Sequence, residues 1–442
     1  MAMVQTLAGE FFEPELPRRL LKIAADIVDA GGRAYLVGGW VRDALLGKNC
    51  RDYDVEVYDL TQDQLLPILS KYGKTNLVGK AFGVIHLSMK GESLDFSFPR
   101  TESKVGYGHK GFVVHTDAKL SFREAALRRD FTINAMGMEL PDLRLCDPYG
   151  GIEDLKNSCL RHVGPAFAED SLRILRGVQF ASRFALNLAP ETVEICRTLS
   201  LDDLSMERLF EEFKKWLLKP GKPSLGLKAF LQIGLDEYFP QVQPMGGSSR
   251  DEGWIILGQL LDGVANNRNG LTDEESSELA FAALLSGNAL PGCPCGDVRE
   301  VARKFLARIT NEIHLDRKVP EILKCYGELD FETVPTAPTL RRLAVRLDSL
   351  KLLALLVKCT PASLFKKPSF ADDFWQAASG LDLLDAAPQP YLTGKMLLDL
   401  GVKPGKQMGE IIKKSFELQL DGVLTDAVSA VAWADRFLSP RP

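Results

Sequence analysis

Residues 35–47 read Tyr35-Leu36-Val37-Gly38-Gly39-Trp40-Val41-Arg42-Asp43-Ala44-Leu45-Leu46-Gly47, and residues 51–57 read Arg51-Asp52-Tyr53-Asp54-Val55-Glu56-Val57. From Asp52 to Val57, acidic and apolar residues take turns. That is the period of a strand with one buried face. Tyr53, Val55 and Val57 are then expected to face a core, while Asp52, Asp54 and Glu56 share the other side. Successive carboxylates on that side stand roughly 6.5–7 Å apart by the rise of a strand. Like charges that close repel unless a cation lies between them. Hard divalent cations such as Mg²⁺ are bound by one or two carboxylates together with substrate phosphates. A pair of metal ions about 4 Å apart serves in-line displacement at phosphorus.

The glycines upstream extend this reading. A short apolar strand, Tyr35 to Val37, runs into Gly38-Gly39 and then into a helix beginning near Trp40. Glycines there let a phosphate approach the backbone, and a helix start offers free N–H groups. Arg42, in the first helical turn, is a candidate bidentate partner for a triphosphate. Singly, each piece is equally consistent with a solvated strand beside an ordinary turn. Together, in this order, they point to a phosphate and metal site.

The run Gly-Gly-x-Val-Arg-Asp-x-Leu-Leu-Gly followed by Asp-x-Asp resembles the head domain of DNA polymerase β-type nucleotidyltransferases. It is more closely similar to the tRNA nucleotidyltransferases (CCA-adding enzymes) and bacterial poly(A) polymerases. The resemblance implies an α+β head, a mixed β-sheet nucleotidyltransferase domain, followed by an all-α neck, body and tail.

Composition agrees with a folded multidomain protein. The chain has 442 residues, of which 45% are hydrophobic, enough for a sizeable core in about two to four domains. No apolar run reaches membrane-spanning length, and the first fifteen residues lack a basic-then-apolar leader pattern. Eight cysteines are scattered with no disulfide-framework spacing, so a cytoplasmic location, or an organelle matrix, is expected. Cys293-Pro294-Cys295 is the tight pair, but no second pair or nearby histidine completes a zinc site. The net charge of −5 argues against indiscriminate nucleic-acid binding and leaves room for a local basic stripe.

Within the head, Lys74–Val78, Val84–Met89 and Leu94–Phe98 read as strands. Asp95 falls on a polar face there. It is a candidate third carboxylate, equally readable as a solvated strand residue, with Glu56 as a weaker rival. Residues 100–122 fit no period and read as a long loop, of a kind that is usually functional or disordered. By resemblance this is the loop that helps CCA-adding enzymes switch from C to A addition. Leu127-Arg128-Arg129-Asp130-Phe131-Thr132-Ile133-Asn134 packs arginines against Asp and Asn. Such groups suit triphosphate and ribose contacts, with Asp130 and Asn134 on hydroxyls or orienting the arginines.

A helix is expected over Glu169–Phe180, placing Asp170, Arg173 and Arg176 three apart on one side. Spacing alone favours ordinary ion pairs. With Arg161-His162-Val163-Gly164-Pro165 before it, the run resembles the base-selecting helix of CCA-adding enzymes. The resemblance implies that Asp170 and Arg173 read the base and that Arg176 supports them. Some relatives carry an arginine where this chain has Gln179. Helices are expected over Met206–Leu218, Ser224–Ile233, Trp254–Val264, Asp273–Leu285, Asp297–Thr310 and Leu340–Lys358. Beyond position 162 the sole histidine is His314, so an HD-type hydrolase centre cannot be built. In the tail, Lys395, Lys403, Lys406, Lys413 and Lys414 suit a phosphate backbone.

The resemblance implies four regions: a catalytic head over 1–150, a neck with the nucleotide-selecting helix over 151–245, a body over 246–385 and a tRNA-binding tail over 386–442. The resemblance implies addition of CCA to the tRNA 3′ end from CTP and ATP. Asp52 and Asp54 would bind two Mg²⁺ ions, with Asp95 as the third catalytic carboxylate. Gly38, Gly39, Arg42, Arg129, Asp130, Asn134, Asp170, Arg173 and Arg176 would hold nucleotide. Expected partners are the tRNA 3′ end and elbow and nucleoside triphosphates, with no membrane; the sequence carries no signal of oligomeric state. A-only addition, poly(A) synthesis and a non-catalytic RNA-binding protein on the same scaffold are the alternatives.

Overall fold

The structure is a computed structural model that describes residues 4–5, 11–12, 16–78, 83–104, 112–290 and 296–439. Cys293-Pro294-Cys295 and the centre of the 100–122 stretch lie outside these residues. The chain divides into two compact units. One comprises Met1–Trp216 with Leu225–Leu235, the other Leu217–Ser224 with Asp236–Pro442.

The first unit is built on a mixed seven-stranded sheet. Its strands are β1 (Arg33–Val37), β2 (Asp54–Tyr58), β3 (Lys74–Val78), β4 (Val84–Met89), β5 (Glu92–Ser97), β8 (Gly137–Leu140) and β9 (Arg144–Cys146). Between β5 and β8, strands β6 (Arg100–Lys104) and β7 (Phe112–Thr116) form a separate antiparallel hairpin. The main order is β9-β8-β1-β2-β5-β4-β3. Every neighbouring pair is antiparallel except β2 with β5. A parallel neighbour needs a long crossover, and the chain makes it through α3 (Gln62–Ser70), β3 and β4.

Alternation decides which side of each strand is buried. Val55 and Phe96 are register partners, and both are fully buried, as is Ile85 on β4 opposite Phe96. Helix α1 (Arg18–Asp29) buries Leu20, Ile23, Ala24 and Ile27 and packs on β1, β8 and α3. Helix α3 begins with a reciprocal cap, in which Gln64 accepts from the Thr61 N–H at 2.8 Å. A second cluster forms over the Tyr35 side of the sheet. There α4 (Phe122–Ala126) sets the Phe122 ring 5.0 Å from Tyr35 and 6.2 Å from Tyr58. Ser121 caps α4 through the Glu124 N–H, so the helix start is fixed where the cluster needs it. Close packing extends to Gly137, where a Cβ would lie 2.4 Å from the Phe122 ring.

Three expectations are corrected in this unit. The strand begins at Asp54, not Asp52, so Asp52 and Tyr53 lie in the approach to it. The stretch after Arg100 is a paired hairpin at its two ends, not loop throughout. Its ladder rests on backbone pairing, which leaves no hydrophobic period to read. The helix expected from Glu169 starts later. Pro165–Glu169 is a 3₁₀ turn, Asp170 is extended, and α5 spans Leu172–Phe184.

The second unit is helical. Two helices, Ala337–Leu347 and Lys351–Cys359, replace the single one expected over 340–358. The break falls at Asp348, whose φ is +64°. Ile313–Gly327 is a helix that sequence reading missed; Pro320 inside it interrupts the signal. In the tail, helices Gly394–Asp399, Lys406–Leu420 and Ala427–Leu438 close over Leu397, Ile411, Leu424 and Ala430. Arg341 donates to the Leu420 carbonyl at 3.0 Å, and Arg342 pairs with Glu417 and Asp421, so the tail is anchored to the helix Ala337–Leu347. Among the described residues no helix is long and apolar enough to cross a membrane.

The Phe122 cluster supports the sheet from the side that carries the polar row described below. Phe122→Ala is expected to cost about 3–5 kcal/mol, the range for removing a buried phenyl ring. Denaturant unfolding followed by tryptophan fluorescence checks it.

Candidate active site

The β2–β5 pairing brings the candidate carboxylates together. Asp54 opens β2, and its register partner across the parallel pair is Asp95 on β5. The Asp95 N–H donates to the Tyr53 carbonyl at 3.4 Å, which ties the two strands at that point. Asp52 lies two residues before Asp54, and its side chain is exposed. Asp54 is also open to solvent by area, yet its carboxyl is held above the usual aspartate range. Partial burial is the main cause, followed by the negative charges of Asp52 and Asp95, while Arg129 opposes them. Asp54 thus feels both Asp52 and Asp95, and that repulsion suits a cation. Among the described residues no three His, Cys, Asp or Glu side chains form a ready metal cage.

Asp95 continues the row outward. Its Oδ1 lies 2.6 Å from His86 Nδ1, and His86 is its register partner on β4. Sequence reading missed His86, although the alternation Val84-Ile85-His86-Leu87 already places it opposite the buried Ile85 and Leu87.

Glu56 is not a third metal carboxylate. It is buried, 1% exposed, and accepts from the Tyr58 hydroxyl at 2.7 Å and from Arg128 at 2.9 Å. Burial would push its carboxyl up, but Arg129 and Arg128 outweigh that and hold it below the usual range. It anchors the arginine pair beneath the site.

Gly38 has φ +69° and turns β1 into α2 (Gly39–Leu45). A Cβ at Gly38 would sit 3.5 Å from Arg129 Nη1, so the turn and this guanidinium are neighbours. Arg129 is loosely held. Its Nη1 reaches the Asn134 carbonyl and its Nη2 reaches Glu56, both at 3.5 Å, and its buried Nε has no hydrogen-bond partner among the described residues.

Arg42 is the opposite case. It is 4% exposed and stacked 4.0 Å from the Phe184 ring centre. Its Nη1 donates to Asn134 Oδ1 at 2.6 Å, and its Nε and Nη2 bind Asp43 Oδ1 at 3.0 and 2.9 Å. The donors that sequence reading offered to a triphosphate are committed within the fold. The network continues through Asn134 Nδ2 to Asp130 Oδ1 at 3.0 Å, then from Asp130 Oδ2 to Arg176 at 2.6 Å. Burial would raise Asp130, but Arg176, Asn134 and the Phe131 N–H outweigh it, so its carboxyl is held below the aspartate range.

Asp170 precedes α5 instead of lying on it. Its Oδ1 caps the Leu172 N–H at 3.1 Å, and both its oxygens meet Arg208 Nη2 at 3.0 and 2.9 Å. Arg208 lies on α6 (Met206–Leu218) and was not anticipated. Arg173 donates to the carbonyls of Ala166 at 2.6 Å and Arg128 at 2.5 Å. Glu212, on α6, is 3% exposed, and its Oε2 has no hydrogen-bond partner among the described residues.

The comparisons with known proteins fit this geometry. Residues 34–161 match the poly A polymerase head domain. The chain is 37% identical over 268 residues to the multifunctional CCA protein of Xanthomonas campestris, covering 59% of this chain and 61% of that protein. It is 42% identical over 225 residues to the multifunctional CCA protein of Azoarcus sp., covering 48% and 52%. The matched part is thus between half and two thirds of the length of these curated relatives. Along nearly all its length the chain resembles the Bacillus stearothermophilus CCA-adding enzyme solved with CTP. The TM-score is 0.65 at 22% identity, over 95% of this chain and 97% of that one. It also resembles the Thermotoga maritima CCA-adding enzyme solved with tRNA, with TM-score 0.62 at 19% identity over 99% and 100%. At such identities the likeness establishes the fold: a mixed-sheet head followed by helices.

The Asp130–Arg176 pair gives a pH prediction. Asp130→Asn is expected to cost about 3–5 kcal/mol at neutral pH, because it leaves Arg176 without its buried counter-charge. A depressed folded-state pKa contributes stability above the unfolded aspartate pKa and loses it as pH falls through the folded value. The gap between wild type and variant should therefore stay level near neutrality and close in acid, below the ordinary aspartate range. Urea unfolding across a pH series measures it.

Proposed function

We propose that the chain is a template-independent nucleotidyltransferase that adds CCA to the 3′ end of tRNA from CTP and ATP, releasing pyrophosphate. The observation that carries this is the Asp54–Asp95 register, with Asp52 two residues before Asp54 and Asp54 within the field of Arg129, which borders the Gly38 turn. In this reading Asp52 and Asp54 bind two Mg²⁺ ions, which would supply charge stabilisation at the α-phosphate and an activated 3′-hydroxyl. The new bond joins the RNA 3′-oxygen to the α-phosphorus, and the bond to pyrophosphate breaks.

The remaining roles belong to the chain's own groups. Gly38 and Gly39 let the triphosphate approach the backbone. Arg129, with unfilled donor capacity, contacts the phosphates. Arg42, Asp130 and Asn134 act at nucleotide through one another by bracing that wall. Asp170, Arg173 and Arg176 select the base. For Arg173 to meet a base it gives up the carbonyls of Ala166 and Arg128, and for Asp170 to do so it loosens Arg208. The tail lysines Lys395, Lys403, Lys406, Lys413 and Lys414 are all exposed and suit the tRNA elbow. We retain 1–150 as head, 151–245 as neck, 246–385 as body and 386–442 as tail, and a cytoplasmic location.

Poly(A) synthesis is the second reading, because the head family carries that name. Product length separates the readings. With transcripts ending before CCA, the expected product is three nucleotides longer and stops. Unlimited A addition to an oligo(A) primer would favour the alternative. Asp52→Ala with Asp54→Ala is expected to abolish incorporation and leave tRNA binding intact; normal turnover would refute the assignment. Arg129→Ala should raise the KM for CTP and ATP about 10- to 100-fold, the worth of one or two charged hydrogen bonds. Arg173→Ala should blur the choice between C and A instead of slowing both equally; unchanged selectivity in competition assays would remove the base-reading role.

A further inference from the structure

Resting on the nucleotidyltransferase reading, we propose that His86 is a positioning residue for Asp95. Its imidazole fixes one carboxylate oxygen and leaves the other for the Asp54 side of the row. Three neighbouring strands place Asp54, Asp95 and His86 in one cross-sheet line. Register partners project to the same face of a sheet, so Asp95 stands between a carboxylate and an imidazole. The contact is short, 2.6 Å between Nδ1 and Oδ1. It lies at a partly open site, with His86 34% and Asp95 47% exposed at the side chain. A carboxylate that exposed has free rotation about χ2 unless something holds it.

Its like-charged register partner Asp54 pushes Asp95 away from the arrangement that a cation or an incoming hydroxyl requires. A hydrogen bond from the outer strand counters that push without adding a fourth carboxylate. Partners that orient a metal-site carboxylate typically change affinity or activity about 10- to 100-fold when removed. His86 touches neither nucleotide nor metal in this account. It acts through Asp95 alone.

The test uses the full chain. His86→Leu removes the donor, and His86→Ala repeats the deletion with a smaller side chain should the leucine variant fold poorly. His86→Asn offers an amide N–H from nearly the position of Nδ1. Two readouts are taken: the single-turnover rate of CMP addition, and Mn²⁺ affinity by electron paramagnetic resonance with a non-reacting CTP analogue bound. The deletions should lower the rate and weaken Mn²⁺ binding about 10- to 100-fold, with the KM for CTP within about threefold of wild type. His86→Asn should recover most of both. Deletions that match wild type in rate and Mn²⁺ affinity overturn the proposal, as does an asparagine variant no better than alanine. These results leave the nucleotidyltransferase reading standing. Wild-type chain that neither adds CMP nor binds Mn²⁺ overturns both.

Discussion

Carboxylates set side by side repel, and a site made of them exists only where the scaffold is stiffer than the repulsion. In this chain the stiffness comes from the one parallel contact in an otherwise antiparallel sheet. β2 and β5 are registered so that Asp54 faces Asp95, while their next residues, Val55 and Phe96, are locked in the core. Moving either strand by one residue would bury a charge and expose a phenyl ring. The cost of that slip far exceeds a partly screened repulsion between exposed carboxylates. The apolar side of the sheet thus determines where the acidic side stands.

The arginines around this row divide into two kinds. Arg42, Arg128, Arg173 and Arg176 hold carboxylates or carbonyls inside the fold. Arg129 is held only by contacts at the limit of hydrogen bonding. A guanidinium with filled geometry gains little from a phosphate, because it must break what it has. One with unfilled donors gains the whole of a charge-assisted bond. On the proposed function, the guanidinium beside the glycine turn is thus one with donor capacity left for a phosphate.

Much of this was legible because it is local. Gly38-Gly39 and the Asp52 to Val57 alternation both depend on residues a few positions apart. What was not legible depends on partners far along the chain. Arg42 finds Asn134, 92 positions away, and Glu56 finds Arg128, 72 positions away. Sequence supplied the donor types there without saying which acceptors they meet. The expected third carboxylate illustrates both sides: Asp95 stands where strand alternation put it, while Glu56, on the same period, is sealed beneath two arginines. In the helical unit, the break at Asp348 escaped reading because the leucines on either side keep the helical period through it.

On the proposed function, Asp170 and Arg173 would choose a base without a template, which requires groups that are rigid enough to discriminate and free enough to engage. Asp170 and Arg173 are each tied by two hydrogen bonds to Arg208 and to two backbone carbonyls, respectively. Such ties lower the entropy lost on binding, because the side chains are already ordered. They also mean that a base must offer hydrogen bonds good enough to replace those it displaces. A base with mismatched donors leaves buried polar atoms unpaired, which costs more than a missing contact in water. On that proposal, discrimination would reside in the exchange of one satisfied network for another.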